Sequence, residues 1–68
     1  MGGEDIRKLR ESLKLTRPEF ASQFGLNAAT LRQWEYGRRL PNEAARVLLS
    51  VISCSPEAVK KAISITSN

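Results

Sequence analysis

Between Thr16 and Pro41 the chain carries two complete sets of helix start and stop signals, and this pairing constrains the fold more than any other feature. Thr16 and Glu19 stand three apart as a capping box, in which the hydroxyl accepts a backbone N–H of the new helix while the carboxylate reaches back to the cap. The spacing predicts a helix that starts near Arg17. Phe20, Ala21 and Phe24 give it one apolar face, and Gly25 supplies the residue type most easily placed at positive φ to end it. Asn27 then caps a second helix beginning at Ala28, and Gly37 and Pro41 stop that one in turn.

On a wheel of about 100° per residue, the stretch 28 to 36 divides sharply. Leu31 and Trp34 fall together as the buried side, bordered by Thr30 and Glu35. Ala28, Arg32, Tyr36, Ala29 and Gln33 sweep the opposite arc, which carries no carboxylate. Two small residues let a backbone come close, and a guanidinium and an amide make bidentate bonds to base edges. Those are the requirements of a helix lying in the major groove of DNA.

The remaining helices read as scaffold. Ile6, Leu9 and Leu13 recur at helical spacing and predict a first helix from about Glu4 to Lys14, with Leu15 following as a packing residue. Asn42 caps a fourth helix that runs to about Ser53, whose Ala44, Ala45, Val47, Leu48, Leu49, Val51 and Ile52 cover an apolar arc of about 200°. An arc that wide needs cover on two sides. Ser55, Pro56 and Glu57 are a start signal for a fifth helix, with Val59, Ala62, Ile63 and Ile65 on its apolar face. The expected architecture is all-α, a compact bundle of five short helices with Phe20, Phe24, Leu31, Trp34, Leu48 and Ile52 in its core. Residues 4–65 form the domain, 1–3 a disordered or appended start, and 66–68 a frayed polar tail.

Sixty-eight residues permit one domain, and one so small is only marginally able to bury a sufficient core, so dimerisation is a natural aid. There is no run of about 18 apolar residues and no signal-peptide core, which reads as a cytoplasmic chain without a membrane partner. Cys54 is the lone cysteine and histidine is absent, so neither an internal disulfide nor a zinc site is expected; a half-buried free thiol is. No glycine-rich phosphate loop and no paired carboxylates in a plausible cleft are present either. An enzyme is therefore the weakest class, and no cofactor or metal is implied. Eleven Lys and Arg against seven Asp and Glu give a net charge of +4, which suits a polyanionic partner. Arg17, Arg32, Arg38 and Arg39 fall within or directly after the two-helix unit, whereas Glu4, Asp5 and Glu11 belong to the first helix.

Residues 5 to 53 resemble the Cro/C1-type helix-turn-helix family, also called the Xre family, in the Thr16 cap, the alanine and glycine of the second helix and turn, and the run Trp34-Glu35-Tyr36-Gly37-Arg38-Arg39-Leu40-Pro41. The stretch AARVLLSVISCSPEAVKKAI is similar to a branch containing HigA-like and MqsA-like antitoxins and small solitary regulators. The resemblance implies a lambda-repressor-like fold, a sequence-specific DNA-binding regulator, most often a repressor, and a structural ion pair between Arg10 and Glu35. An antitoxin that regulates its own operon and binds a toxin is the alternative; an interaction scaffold without DNA binding is a third.

Base reading is expected of Ala28, Ala29, Thr30, Arg32 and Gln33, with the alanines standing where phage repressors of the family often carry glutamine. Phosphate contacts are expected of Thr16, Arg17, Asn27, Tyr36, Arg38 and Arg39, Arg17 replacing a frequent glutamine. Tyr36 has two readings, a phosphate contact or a ring packed on Arg32. Val59, Ile63 and Ile65 are the candidates for a homodimer contact, and an inverted-repeat operator follows from a twofold dimer.

Overall fold

A computed structural model of the chain describes residues 2–66, and every regular element among them is an α-helix. The elements are α1 (Gly3–Ser12), α2 (Arg17–Phe24), α3 (Ala28–Glu35), α4 (Glu43–Cys54) and α5 (Pro56–Thr66). Helix α3 packs against α1 and α2, and α5 packs against α4 and α2. Of the frayed tail expected at 66–68, Ser67 and Asn68 lie outside the described residues, while Thr66 is the last residue of α5.

Local chemistry sets the boundaries of the central pair. Thr16 Oγ1 accepts the Glu19 N–H at 3.3 Å, and Glu19 returns its Oε1 to the Thr16 N–H at 2.9 Å. This reciprocal pair holds the Glu19 carboxyl below the ordinary carboxylate range, chiefly through the Thr16 backbone N–H and then its hydroxyl. Gly25 sits at φ +69°, where the chain leaves α2, and the Leu26 N–H closes on the Ala21 carbonyl at 2.8 Å. Asn27 Oδ1 then accepts the N–H groups of Ala29 and Thr30. Three residues suffice to end one helix and open the next.

The core is a single cluster. Ile6, Phe20, Phe24, Leu31, Trp34, Leu49, Ile52 and Val59 are buried, with the Phe20 and Phe24 ring centroids 4.8 Å apart. Leu49 rather than Leu48 joins Ile52 as a fully buried residue of α4, and Leu48 lies partly buried against the cluster. The wide apolar arc of α4 makes both positions equivalent by pattern; in the fold Leu49 enters the central cluster, while Leu48 lies beside Val59, Ala62 and Ile63 of α5. Val59, a residue expected at a dimer contact, is buried in this cluster at 7 % exposure and helps to close the core of the single chain. Ile63 is partly buried against the same cluster, whereas Ile65 is largely exposed. Val47 and Val51, on the remainder of the α4 arc, are left exposed. Cys54 is exposed as well, not half-buried, because α4 runs to that residue and turns it away from the core.

Both ends of α1 depart from expectation. The helix ends at Ser12 because Lys14 adopts φ +59°, and the N–H groups of Lys14 and Leu15 close back on the carbonyls of Glu11 and Arg10. That is a Schellman termination with lysine in the position that glycine usually fills. At the other end Gly2 is the N-cap, its N–H donated to Asp5 Oδ2, and Gly3 is already helical. Gly3 has a steric reason to be glycine: a Cβ there would stand 2.7 Å from the Glu35 carbonyl oxygen and nearer still to that of Trp34. The start of α1 thus abuts the last turn of α3, and residues 2 and 3 belong to the folded domain. Met1 lies outside the described residues.

Three substitutions test these ends, with unfolding followed by the fluorescence of Trp34, the lone tryptophan. Gly3→Ala should destabilise by about 1–3 kcal/mol through overpacking, although alanine favours helices, and Gly2→Ala should cost far less. Lys14→Gly should stabilise by about 0.5–1 kcal/mol, the relief of the left-handed backbone less the freedom glycine adds to the unfolded chain.

Candidate nucleic-acid interface

Helix α3 turns Leu31, Trp34 and Glu35 inward. Its other face presents Ala29, Arg32, Gln33 and Tyr36 to solvent, with Ala28 and Thr30 half-buried at the margins. After Tyr36, Gly37 at φ +73° donates its N–H to the Trp34 carbonyl, and the Arg38 N–H reaches the Gln33 carbonyl. This glycine turn folds Arg38 back beside α3. Ala29, Arg32, Gln33, Tyr36 and Arg38 together line a cleft of about 380 Å³. A surface with two guanidiniums, an amide, a phenol and no carboxylate is rich in donors, which matches the acceptor-rich edge of guanine and the phosphate backbone.

Beneath that face lies the one buried charge of the described residues. The Glu35 side chain is fully buried, and its carboxylate accepts from Arg10 Nε at 2.8 Å, Arg10 Nη2 at 3.0 Å and Arg17 Nε at 3.1 Å. Arg10 uses its third donor on the Leu15 carbonyl at 2.9 Å. Its guanidinium is held above its ordinary pKa by its hydrogen bonds to Glu35, which outweigh the opposing cost of burial. One carboxylate thereby joins α1, the start of α2 and the last turn of α3.

Arg17 continues outward from this pair. Its guanidinium carbon lies 5.2 Å from the centroid of the Tyr36 ring, and that of Arg32 lies 5.4 Å from the same centroid. Both distances are within the range of cation–π attraction. Tyr36 is pushed below the ordinary tyrosine pKa, first by hydrogen bonding to Arg32 and then by the charges of Arg17 and Arg32. Of its two readings, the geometry is that of a ring packed on Arg32.

The other expected phosphate residues are distributed unevenly. Arg38 and Arg39 are exposed, and of the two only Arg38 lines the cleft. The Thr16 N–H and hydroxyl are both engaged with Glu19, and the Asn27 carbonyl oxygen is engaged in capping α3, so each acts first as a helix cap. The Arg10–Glu35 pair is present as the resemblance implied. The Arg17–Glu35 bond was missed, although a hint was available: a carboxylate on the border of a buried face needs more than one donor to offset its desolvation.

A packed pair of short helices joined by a glycine turn, the second of them presenting a basic, carboxylate-free face, defines a helix-turn-helix domain of the DNA-reading kind. The comparison with protein families agrees: the model described as helix-turn-helix matches residues 6–59, and the chain belongs to that family. Among curated proteins, the chain is similar to "Antitoxin HigA-2" of Vibrio cholerae serotype O1 (strain ATCC 39315 / El Tor Inaba N16961), with 34% identity over 56 residues. The match covers 82% of this chain and 54% of that relative, so the chain spans about half the relative's length. No helix among the described residues is long and apolar enough to cross a membrane.

Arg10→Gln should destabilise the domain by about 3–5 kcal/mol, because it strips the buried carboxylate of its principal partner. Arg17→Gln should cost less, since the Arg17 side chain is 29% exposed against 11% for Arg10; denaturant unfolding of both variants ranks them. Tyr36 is the lone tyrosine, so tyrosinate absorbance reads its ionisation without interference. It should titrate below the ordinary tyrosine value of 10.0, and Arg32→Ala should move it back up, with Arg17 and Arg38 still facing the ring and its cleft.

Proposed function

We propose that the chain is a sequence-specific transcriptional regulator, a repressor, that places α3 in the major groove of its operator. The observation that carries this reading is the outward face of α3, where Arg32 and Gln33 stand exposed beside two alanines with no carboxylate between them. Arg32 is suited to guanine and Gln33 to adenine. Ala28, Ala29 and Thr30 permit close approach and contact with thymine methyl groups. Thr16 and Arg17 lie at a helix start that favours a phosphate on one flank of the groove, while Asn27, Arg38 and Arg39 take phosphates on the other. The work is binding rather than catalysis, done in the cytoplasm where the DNA is.

The same reading takes the functional unit as a homodimer on an inverted repeat, its two reading helices about 34 Å apart. Exposed Val47 and Val51 on α4 and Ile65 on α5 support a self-contact there. The antitoxin reading is favoured by one observation, the 34% identity to a protein named as an antitoxin, and adds a toxin as a second partner. Co-purification with the product of a neighbouring gene tests that addition.

Selection of bound sequences from a random duplex pool tests the main reading. An enriched inverted repeat is expected; no enrichment would overturn it, and an enriched site without symmetry would overturn the dimer. On the enriched site, Gln33→Ala or Arg32→Ala should cost about 1–3 kcal/mol and relax preference at a defined base pair. Arg38→Ala should weaken all duplexes alike and reduce the slope of log affinity against log salt by about one unit for each phosphate no longer bound. Titrations across salt on preferred and scrambled duplexes separate the two behaviours.

A further inference from the structure

We infer that Tyr36 is a specificity-determining positioning residue: its ring, held by Arg17 from α2, sets the direction in which Arg32 enters the groove. The inference rests on the DNA-reading proposal above and deepens it. Arg32 and Tyr36 are four residues apart on a helix, the spacing at which side chains meet, and the lean of helical side chains toward the N-terminus brings the ring over the turn that bears Arg32. On its other sides Arg32 has little to hold it. Ala28 and Ala29 offer only methyl groups, and the outward face has no carboxylate to pair with a guanidinium.

The ring itself is anchored from within. The carboxylate of Glu35 is buried and fixed by Arg10; it takes Arg17 Nε at 3.1 Å, and the Arg17 guanidinium lies over the ring at 5.2 Å from the centroid. Arg32 lies over the same ring at 5.4 Å. The order Glu35, Arg17, Tyr36, Arg32 leads from the core to the tip of the reading side chain. A free arginine loses much rotamer freedom when it makes a bidentate bond to a base, and one already laid on a ring has lost part of it before DNA arrives. A cation–π contact of this kind, on an exposed ring, changes an equilibrium constant by about two- to fivefold. The ring therefore acts on the preference at the base pair that Arg32 reads.

Tyr36→Phe and Tyr36→Leu separate ring from hydroxyl. Each is titrated with the site enriched by the unaltered chain and with duplexes changed at the base pair that Arg32→Ala relaxes. The phenylalanine variant should keep the preference at that pair, and the leucine variant should lose about two- to fivefold of it. On an Arg32→Ala background, Tyr36→Leu should remove no further preference. Fluorescence of Trp34 on heating checks that each variant is folded; should leucine fail there, Tyr36→Gln, a polar residue at a position that is 52% exposed, carries the same expectation.

The inference is overturned if both variants retain the preference, or if Tyr36→Phe weakens every duplex alike and Tyr36→Leu does no more, the behaviour of a hydroxyl bound to phosphate. If the unaltered chain enriches no sequence at all, the DNA reading fails and the inference with it. Enrichment with an indifferent ring sinks the inference alone.

Discussion

A buried carboxylate with two arginines holds this small domain in register. Glu35 sits on the inner border of the reading helix, and taking its charge out of water is costly unless several donors meet it. Arg10 meets it from α1 and Arg17 from the first turn of α2, with three hydrogen bonds between 2.8 and 3.1 Å. The cluster adds little net stability compared with a well-packed apolar replacement. What it contributes is specification, because three helices satisfy the same two oxygens only in one mutual arrangement. The packing of Leu31 and Trp34 supplies the attraction, and the ion pairs fix the angle.

The two sides of α3 are coupled through this arrangement. Its inner side is tied down by Glu35, and Arg17 carries the tie around the helix edge to the ring of Tyr36 and so to the outer side. In many charged surfaces an arginine is free to sample solvent. Here the sequence replaces an amide with Arg17 at the start of α2, and the longer, charged side chain reaches both the core carboxylate and the aromatic ring. A position expected to meet only phosphate has thereby become part of the support for the reading face, at the expense of some of its availability to DNA.

The signals that were legible in the sequence are the local ones. Thr16 with Glu19, Asn27 and Asn42 each accept the helix N–H groups that their identity and spacing foretold, and Gly25 and Gly37 adopt the positive φ that their places require. The outward arc of α3 was legible for the same reason, being a property of one helix. What escaped depends on residues far apart in the chain. Arg17 bonds Glu35 eighteen positions away, Val59 is buried among residues of other helices, and Leu49 rather than Leu48 enters the central cluster through the way α4 packs on its neighbours. Lys14 escaped differently. Nothing about a lysine announces a left-handed residue, and the apolar stripe through Leu13 and Leu15 masked the break.

Gly3 bears on how this domain is joined to anything else. Because it leaves no room for a side chain against the Trp34 and Glu35 carbonyls, the front of the chain emerges at the C-terminal end of the reading helix. With α3 in the major groove as proposed, an affinity tag or a second domain attached ahead of it is delivered to the margin of the DNA footprint, where its charge is felt by the duplex. The point of attachment thus sets electrostatic conditions at the reading face, and a fusion partner placed there becomes a variable in any affinity measured.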